Sequence, residues 1–388
     1  MTRPHIRVAI VITLIGGAFA LPAARAYAAY PDVPTGFWAK TAIDYVASER
    51  EWMADFGANF LPEAIETKRR FASALMKAFD PTGEVDPDLT FTDLSVDDPF
   101  YRPANIAVQH GWMTVNPSGQ FKPFNGVTTT MLHRALVLAL GLQEEVDGIT
   151  ALHLDDGLLG APGTPVAVDP IRAPYLILGM QLSLRYNHGT EAEDVMPGTV
   201  LHRDEVAYSL WRAAITSSWT LDGLQAYRTI SLPAMDETHR KMVEFGLKYV
   251  GYPYIWAGEW YMKTGTGYCC GTQPKGGFDC SGFTWWLVKK PAGGYDNTAI
   301  RGYTGWSLPE RSSASMAAVG THQTYAKTLP GDLMFHNSTG SSAVSHVNVY
   351  VGNGWALDSS SGRGGVSLIK VDSGYYYDHF MWSRRLVP

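Results

Sequence analysis

Cysteine is scarce in this chain: three occur among 388 residues, at positions 269, 270 and 280. So few exclude a disulfide framework, and an odd number leaves at least one thiol unpaired. A bridge between the neighbours Cys269 and Cys270 would close a strained ring, and a bridge from either to Cys280 would consume that thiol. No Cys-x-x-Cys spacing occurs, so no zinc ligand set is legible, and neither a metal nor an organic cofactor is expected. Long runs of like charge are also missing. A formal net charge of -6 leaves no basic footprint for nucleic acid. Beyond the N-terminal segment, no apolar run approaches the about 20 residues that span a bilayer. The apolar content of 46% is ordinary for a globular protein, and the length suits two or three domains with their own cores.

The N-terminal segment has its own pattern. Arg3 and Arg7 flank the start of an apolar centre from Val8 to Ala20. Ala24-Arg25-Ala26 and Ala26-Tyr27-Ala28 both place small residues at cleavage spacing. Residues 1–29 are expected to be an export signal, with an uncleaved anchor as the alternative. The mature chain would carry no transmembrane span and would be secreted.

A diverged repeat follows. Phe60-Leu61-Pro62 recurs as Phe121-Lys122-Pro123, and a threonine stands five positions after each proline, at Thr67 and Thr128. Each threonine is a reasonable N-cap for an amphipathic helix, with Phe71, Leu75 and Phe79 on the first apolar face and Leu132, Leu136 and Leu140 on the second. Upstream, Phe37-Trp38 and Ile43 match Phe100-Tyr101 and Ile106. A weaker third copy places Met196-Pro197 before His202-Arg203-Asp204-Glu205. The pattern sets repeats at 30–90 and 91–145, a Gly-, Pro- and Asp-rich linker at 146–168, and a degenerate repeat at 169–225.

With Tyr30-Pro31-Asp32-Val33-Pro34 before Trp38-Ala39, these repeats resemble the S-layer homology family. That resemblance implies an all-α module of three repeats packed as a three-fold prism, anchored to an anionic secondary polymer of the bacterial cell wall. The family's second helix starts Thr-Arg-Ala-Glu, and its arginine contacts the polymer. Carried over, the polymer-binding residues would be Lys68 and Arg203, a guanidinium being always charged and shaped to fork onto anions. The second copy has Thr129 and Thr130 there, with no charge.

The C-terminal stretch centres on Phe278-Asp279-Cys280-Ser281-Gly282-Phe283. Gly276 and Gly277 read as a loop, and Phe283 to Val288 as a buried helix, so Cys280 falls at or near a helix N-terminus. Unpaired N–H groups there favour a thiolate, the nucleophilic form, which needs a base. His346 is the candidate base, on the alternating strand His346-Val347-Asn348-Val349-Tyr350-Val351. Turn parity decides where Asp358 points. A plain two-residue turn at Asn353-Gly354 directs it away from His346. A three-residue or bulged turn pairs Asn348 with Asp358 and sets Asp358 on the His346 face as a diagonal neighbour. The three-residue or bulged turn is expected, with Asp358 orienting and charge-balancing the imidazole.

Pro253-Tyr254-Ile255-Trp256, the Cys280 block, Leu329-Pro330-Gly331-Asp332-Leu333 and the His346 strand occur in that order. Together they resemble the NlpC-type cell-wall cysteine peptidases over residues 232–388. The resemblance implies an α+β papain-like domain, an antiparallel sheet with a cysteine-bearing helix. Typical members cut the γ-D-glutamyl–diaminopimelate bond of peptidoglycan stem peptides. It makes Cys280 the nucleophile, His346 the base and acid, and Asp358 the third group, where most members have a second histidine. Tyr254, Asp279 and Ser281 match cleft positions: the acid and serine would hold the free amino end of L-Ala-γ-D-Glu, and the tyrosine the oxyanion. Ser345 would share that pocket. Segment 259–275 is longer than the family's usual loop, and Arg311-Ser312-Ser313 resembles its Arg-Thr/Ser stretch. The alternatives are an amidase or acyl transferase on the same fold, or a catalytically inactive wall-binding protein.

Overall fold

The computed structural model describes residues 30–152, 173–188, 198–259, 277–290, 301–308 and 311–386. The export segment, Met196-Pro197 and the Cys269-Cys270 pair lie outside them. The N-terminal region is all helical. It contains α1 (Lys40–Ile43, continuing as a π-helical turn Asp44–Glu49), α2 (Lys68–Phe79), α3 (Tyr101–Gln109) and α4 (Thr129–Ala139). α5 (Gln143–Thr150), α6 (Ala173–Gln181), α7 (Arg203–Ala214) and α8 (Ser218–Leu224) follow.

Backbone hydrogen bonds close this region into a ring. Lys68 N donates to Asn125 O, Thr129 N to Thr199 O, and Arg203 N to Ala64 O. Each donor opens a helix, and each acceptor stands two residues past the proline of another copy. Isolated antiparallel bridges repeat the pattern at Thr67–Gly126, Thr128–Val200 and Ile65–His202. Helix packing runs the same way: α2 on α3, α4 on α6, and α7 back onto α1. The aromatic turns share one conformation, with Leu61 and Lys122 both at φ 58°. Asp32 accepts from Phe60 N and Leu61 N, as Asp93 does from Phe121 N and Lys122 N.

One expectation needs correction. The linker read at 146–168 begins inside α5, where Val146 and Ile149 are buried. Gly148 lies inside this helix and makes a close contact: a Cβ there would stand 2.2 Å from the Tyr227 carbonyl. Residues 153–168 lie outside the described set.

The C-terminal region is a six-stranded antiparallel sheet in the order β1-β6-β2-β3-β4-β5. The strands are β1 (Thr321–Gln323), β2 (Leu333–Asn337), β3 (Val344–Gly352), β4 (Trp355–Ser360), β5 (Gly365–Lys370) and β6 (Phe380–Arg385). α9 (Glu237–Leu247) and α10 (Cys280–Val288) pack on β4, and α10 also on β3. Every residue of α10 is buried, Trp285 and Trp286 included, which is why its sequence shows no amphipathic period. The opposite face holds a smaller cluster of Met334, Ala356, Ile369 and Val371 with Tyr376 packed against it. Among the described residues no helix is long and apolar enough to cross a membrane.

Candidate active site

Cys280 is the first residue of α10. Asp279 is its N-cap, with Oδ1 accepting from Gly282 N at 2.5 Å, so the cap that starts the helix also fixes the cysteine at its N-terminus. The preceding loop is stitched to the Tyr254 segment: Phe278 N donates to Pro253 O, Ile255 N to Phe278 O, and Asp279 N to Gly258 O. Glycine is required for this approach. A Cβ on Gly282 would lie 2.0 Å from Gly258 O, and one on Gly277 2.4 Å from Pro253 O. These contacts bring Tyr254 to the nucleophile. Burial, then the neighbouring Cys280 and Asp279, push the Tyr254 phenol up, so it stays a proton donor.

The hairpin joining β3 and β4 carries His346. Asn353 and Gly354 both have positive φ, 51° and 81°, as a two-residue hairpin turn demands. Gly352 pairs with Trp355, and a bulge then shifts the register so that Tyr350 pairs with Ala356 and Val349 with Leu357. Continued one step, this sets Asn348 opposite Asp358. The two-residue turn and the bulge coexist, and the bulge turns Asp358 onto the His346 face. His346 Nε2 donates to Asp358 Oδ1 at 2.6 Å, and Tyr376 OH donates to Oδ2 at 2.7 Å.

The charges are arranged to match. Burial pushes His346 down, but the Asp358 carboxylate, Cys280 and hydrogen bonds to both lift it well above its ordinary value. Burial pushes Asp358 up, and His346 and the Tyr376 hydroxyl pull it below the usual carboxylate range. Cys280, a His346 whose charged form is favoured and the Asp358 carboxylate thus stand in series. Behind them sits His336, paired across the sheet with His346. Burial, then the His346 charge, push it down to about 4. It is therefore neutral, donating through Nδ1 to Tyr376 O and accepting at Nε2 from Asn348.

A second buried network flanks the nucleophile. Arg311 Nε donates to Glu259 Oε1 at 2.6 Å, Nη1 to Ser281 Oγ at 2.6 Å, and Nη2 to Gly258 O at 3.2 Å; Nη1 also lies 3.1 Å from Asp279 Oδ1. One guanidinium thus joins two carboxylates, Glu259 and Asp279. Neither Glu259 nor Tyr376 stands in a sequence pattern, and the signal for Arg311 was only the Arg-Ser-Ser stretch.

A cleft of about 690 Å³ runs over these groups. Asp279, Ser281, Arg311, Ser312 and Ser313 line one part, and Tyr254, Cys280, Ser345 and His346 the centre. Ser360, Ser361, Gly362 and Arg363 line the turn after β4, with exposed Trp256 and Tyr375 at the rim. Asp358 is fully buried behind His346.

Lys68 and Arg203 are not brought here, and their placement corrects the polymer-contact expectation. Arg203 is 0% exposed. Its guanidinium donates to Phe60 O, Met53 O, Glu66 and Asp55. Lys68, 6% exposed, donates to Thr114 O and Phe121 O. Each cation reaches into the aromatic turn of a neighbouring copy and is used up in joining the ring.

The NlpC/P60 family is matched over residues 251–385. The bifunctional muramidase/DL-endopeptidase CwlT of Bacillus subtilis is 29% identical over 144 residues, 37% of this chain and 35% of that protein. The gamma-D-glutamyl-L-lysine dipeptidyl-peptidase of Bacillus cereus is 26% identical over 194 residues, 49% of each. The chain thus spans half or less of the length of these curated relatives. A crystal structure of an NlpC/P60 family protein from Bacillus cereus aligns with 41% of this chain and 42% of its own, at 25% identity and a TM-score of 0.29. The C-terminal region of this chain is an NlpC/P60-family peptidase-like domain.

Proposed function

We propose that this chain is an exported, cell-wall-associated cysteine endopeptidase that hydrolyses peptidoglycan stem peptides at the γ-D-glutamyl–diaminopimelate bond. The observation that carries the reading is His346 held between Cys280 and buried Asp358, with its charge stabilised from both sides. The Cys280 thiolate attacks the γ-carbonyl carbon. The Cys280 N–H at the helix start and the protonated Tyr254 hydroxyl face the developing oxyanion. His346 gives its proton to the departing diaminopimelate amine, leaving a thioester on Cys280. It then takes a proton from the water that hydrolyses this acyl-enzyme, and the thiolate is restored. The Asp279 carboxylate, which lines the cleft beside Arg311, suits the free ammonium of L-Ala-γ-D-Glu. That selects peptides already freed at their N-terminus.

The helical region is proposed as an S-layer-homology-like module, a reading supported by its closed ring of copies. It would keep the peptidase domain at an anionic secondary polymer of the wall. Lys68 and Arg203 are spent inside the ring, so exposed groups make that contact. Cosedimentation with purified walls, before and after acid extraction of the secondary polymer, tests the anchor; equal binding to both sinks it.

For the enzyme, mature protein and its Cys280→Ala variant are incubated with stem peptides and whole peptidoglycan, and products are read by mass spectrometry. L-Ala-D-Glu released by the wild type alone is expected. A different Cys280-dependent product would move the specificity to an amidase or another bond. No product, with the thiol shown to be free, would overturn the enzymatic reading.

A further inference from the structure

The cleft has two charged ends, and only one is accounted for by the substrate's amino terminus. The other is Arg363, in the turn between β4 and β5. It lies on the Tyr376 side, since its charge is felt by the Tyr376 hydroxyl. Arginine carries five N–H groups. One, on Nη1, donates to the Gln181 main-chain carbonyl at 2.9 Å, from the end of α6 in the helical region. Among the described residues no carboxylate pairs with Arg363. Nearby Asp358 is already engaged by His346 and Tyr376. A partly buried, always-charged guanidinium, anchored at one nitrogen and lining a cleft with no carboxylate partner among the described residues, is built to meet an anion.

The substrate supplies one. Resting on the γ-D-glutamyl reading above, a peptide spanning Cys280 with its ammonium at the Arg311 network extends its leaving residue past His346, toward the β4–β5 turn. Diaminopimelate carries a carboxylate at the far end of its side chain, where lysine has none. We propose that Arg363 is a specificity residue that binds this side-chain carboxylate of the third residue and so separates diaminopimelate-type from lysine-type stem peptides. Gln181 is then a positioning residue: its carbonyl holds the guanidinium, and the helical region takes part in substrate choice.

The test uses the full mature chain with L-Ala-γ-D-Glu-meso-diaminopimelate and L-Ala-γ-D-Glu-L-Lys, comparing wild type, Arg363→Gln and Arg363→Lys by kcat/KM. A charge-assisted hydrogen bond makes the expected wild-type preference for the diaminopimelate peptide about 10- to 100-fold. Arg363→Gln should erase most of that preference by slowing the diaminopimelate peptide, with a far smaller change on the lysine peptide. Arg363→Lys should keep part of it. The lysine peptide thus reports whether the variant still folds and turns over. Equal loss on both peptides, or no preference in the wild type, overturns the assignment while leaving the endopeptidase reading intact. Failure of the wild type to cut the γ-D-glutamyl bond in either peptide overturns that reading and this inference with it.

Discussion

Asp358 does for His346 what a second histidine cannot: it brings a full negative charge, buried, at 2.6 Å. That charge has a sign on the pH axis. His346 is raised above its ordinary value, so the imidazolium of the active ion pair persists on the alkaline side of 6.5. Activity is lost as pH rises through the raised value. Asp358→Asn removes the carboxylate and should move the alkaline limb of kcat/KM to lower pH, with a fall of about tenfold or more above the new limb. An unmoved limb would separate Asp358 from the ion pair. Tyr376→Phe keeps the carboxylate and removes a hydroxyl that partly neutralises it, so the limb should not move to lower pH in the same profile. The Cys280, His346 and Asp358 arrangement was legible because it rests on local periodicities, a helix start and the parity of one hairpin. Glu259 and Tyr376 were not, and Arg311 showed only as part of an Arg-Ser-Ser stretch. Glu259 and Arg311 lie 52 positions apart, and only the closed fold brings them to one another.

At the level of elements, the helices α2, α4 and α7 were readable from spacing, and the use of the charges at their starts was not. A positive residue at the start of an exposed-looking helix suggests a surface contact. Burial by the neighbouring copy turns it into a joint instead. Arg203 is held against Glu66, whose carboxyl burial pushes up to about 7 against the pull of the guanidinium. Arg203→Met would strand Glu66 without its counter-charge, at a cost of about 3–5 kcal/mol. The loss should be deeper at about pH 8 than at about pH 5. A stranded, buried carboxyl binds its proton more tightly folded than unfolded, so the stability it retains at low pH is lost as pH rises. Adding Glu66→Gln should recover part of the stability and flatten that slope. Urea midpoints at the two pH values measure both effects, and a single variant as stable as wild type would show that the joint does not hold the ring. Gly148 is the complementary lesson. Glycine inside a helix reads as a break in one sequence, yet here it admits the Tyr227 carbonyl to the helix surface.

Across the whole molecule, the two regions meet at the edge of the sheet nearest the cleft. Gln181 Nε2 and the Tyr227 hydroxyl both donate to Leu368 O on β5, and Tyr227 packs on Trp355 with ring centroids 4.6 Å apart. Gly251, at φ 92°, stands where a Cβ would touch the Leu176 side chain at 3.0 Å. No periodicity announces such contacts, because they join single polar atoms from segments far apart in the chain. The contact closest to chemistry is Asn187, whose Nδ2 donates to the Tyr254 main-chain carbonyl at 2.8 Å. Tyr254 is further fixed by its own N–H on Gly364 O, one residue past Arg363. The helical region therefore grips the backbone on which Tyr254 is mounted. Asn187→Ala loses that hydrogen bond and leaves the Cys280 and His346 side chains in place. Positioning errors of this kind lower the rate of reaction more than the binding of substrate. The expected outcome is a several-fold fall in kcat with KM nearly constant, and a thermal midpoint close to wild type. A KM effect alone would mean that Asn187 shapes the cleft and not the oxyanion donor. Wild-type kinetics would make the helical region a passive tether, attached to the peptidase domain and silent in its chemistry.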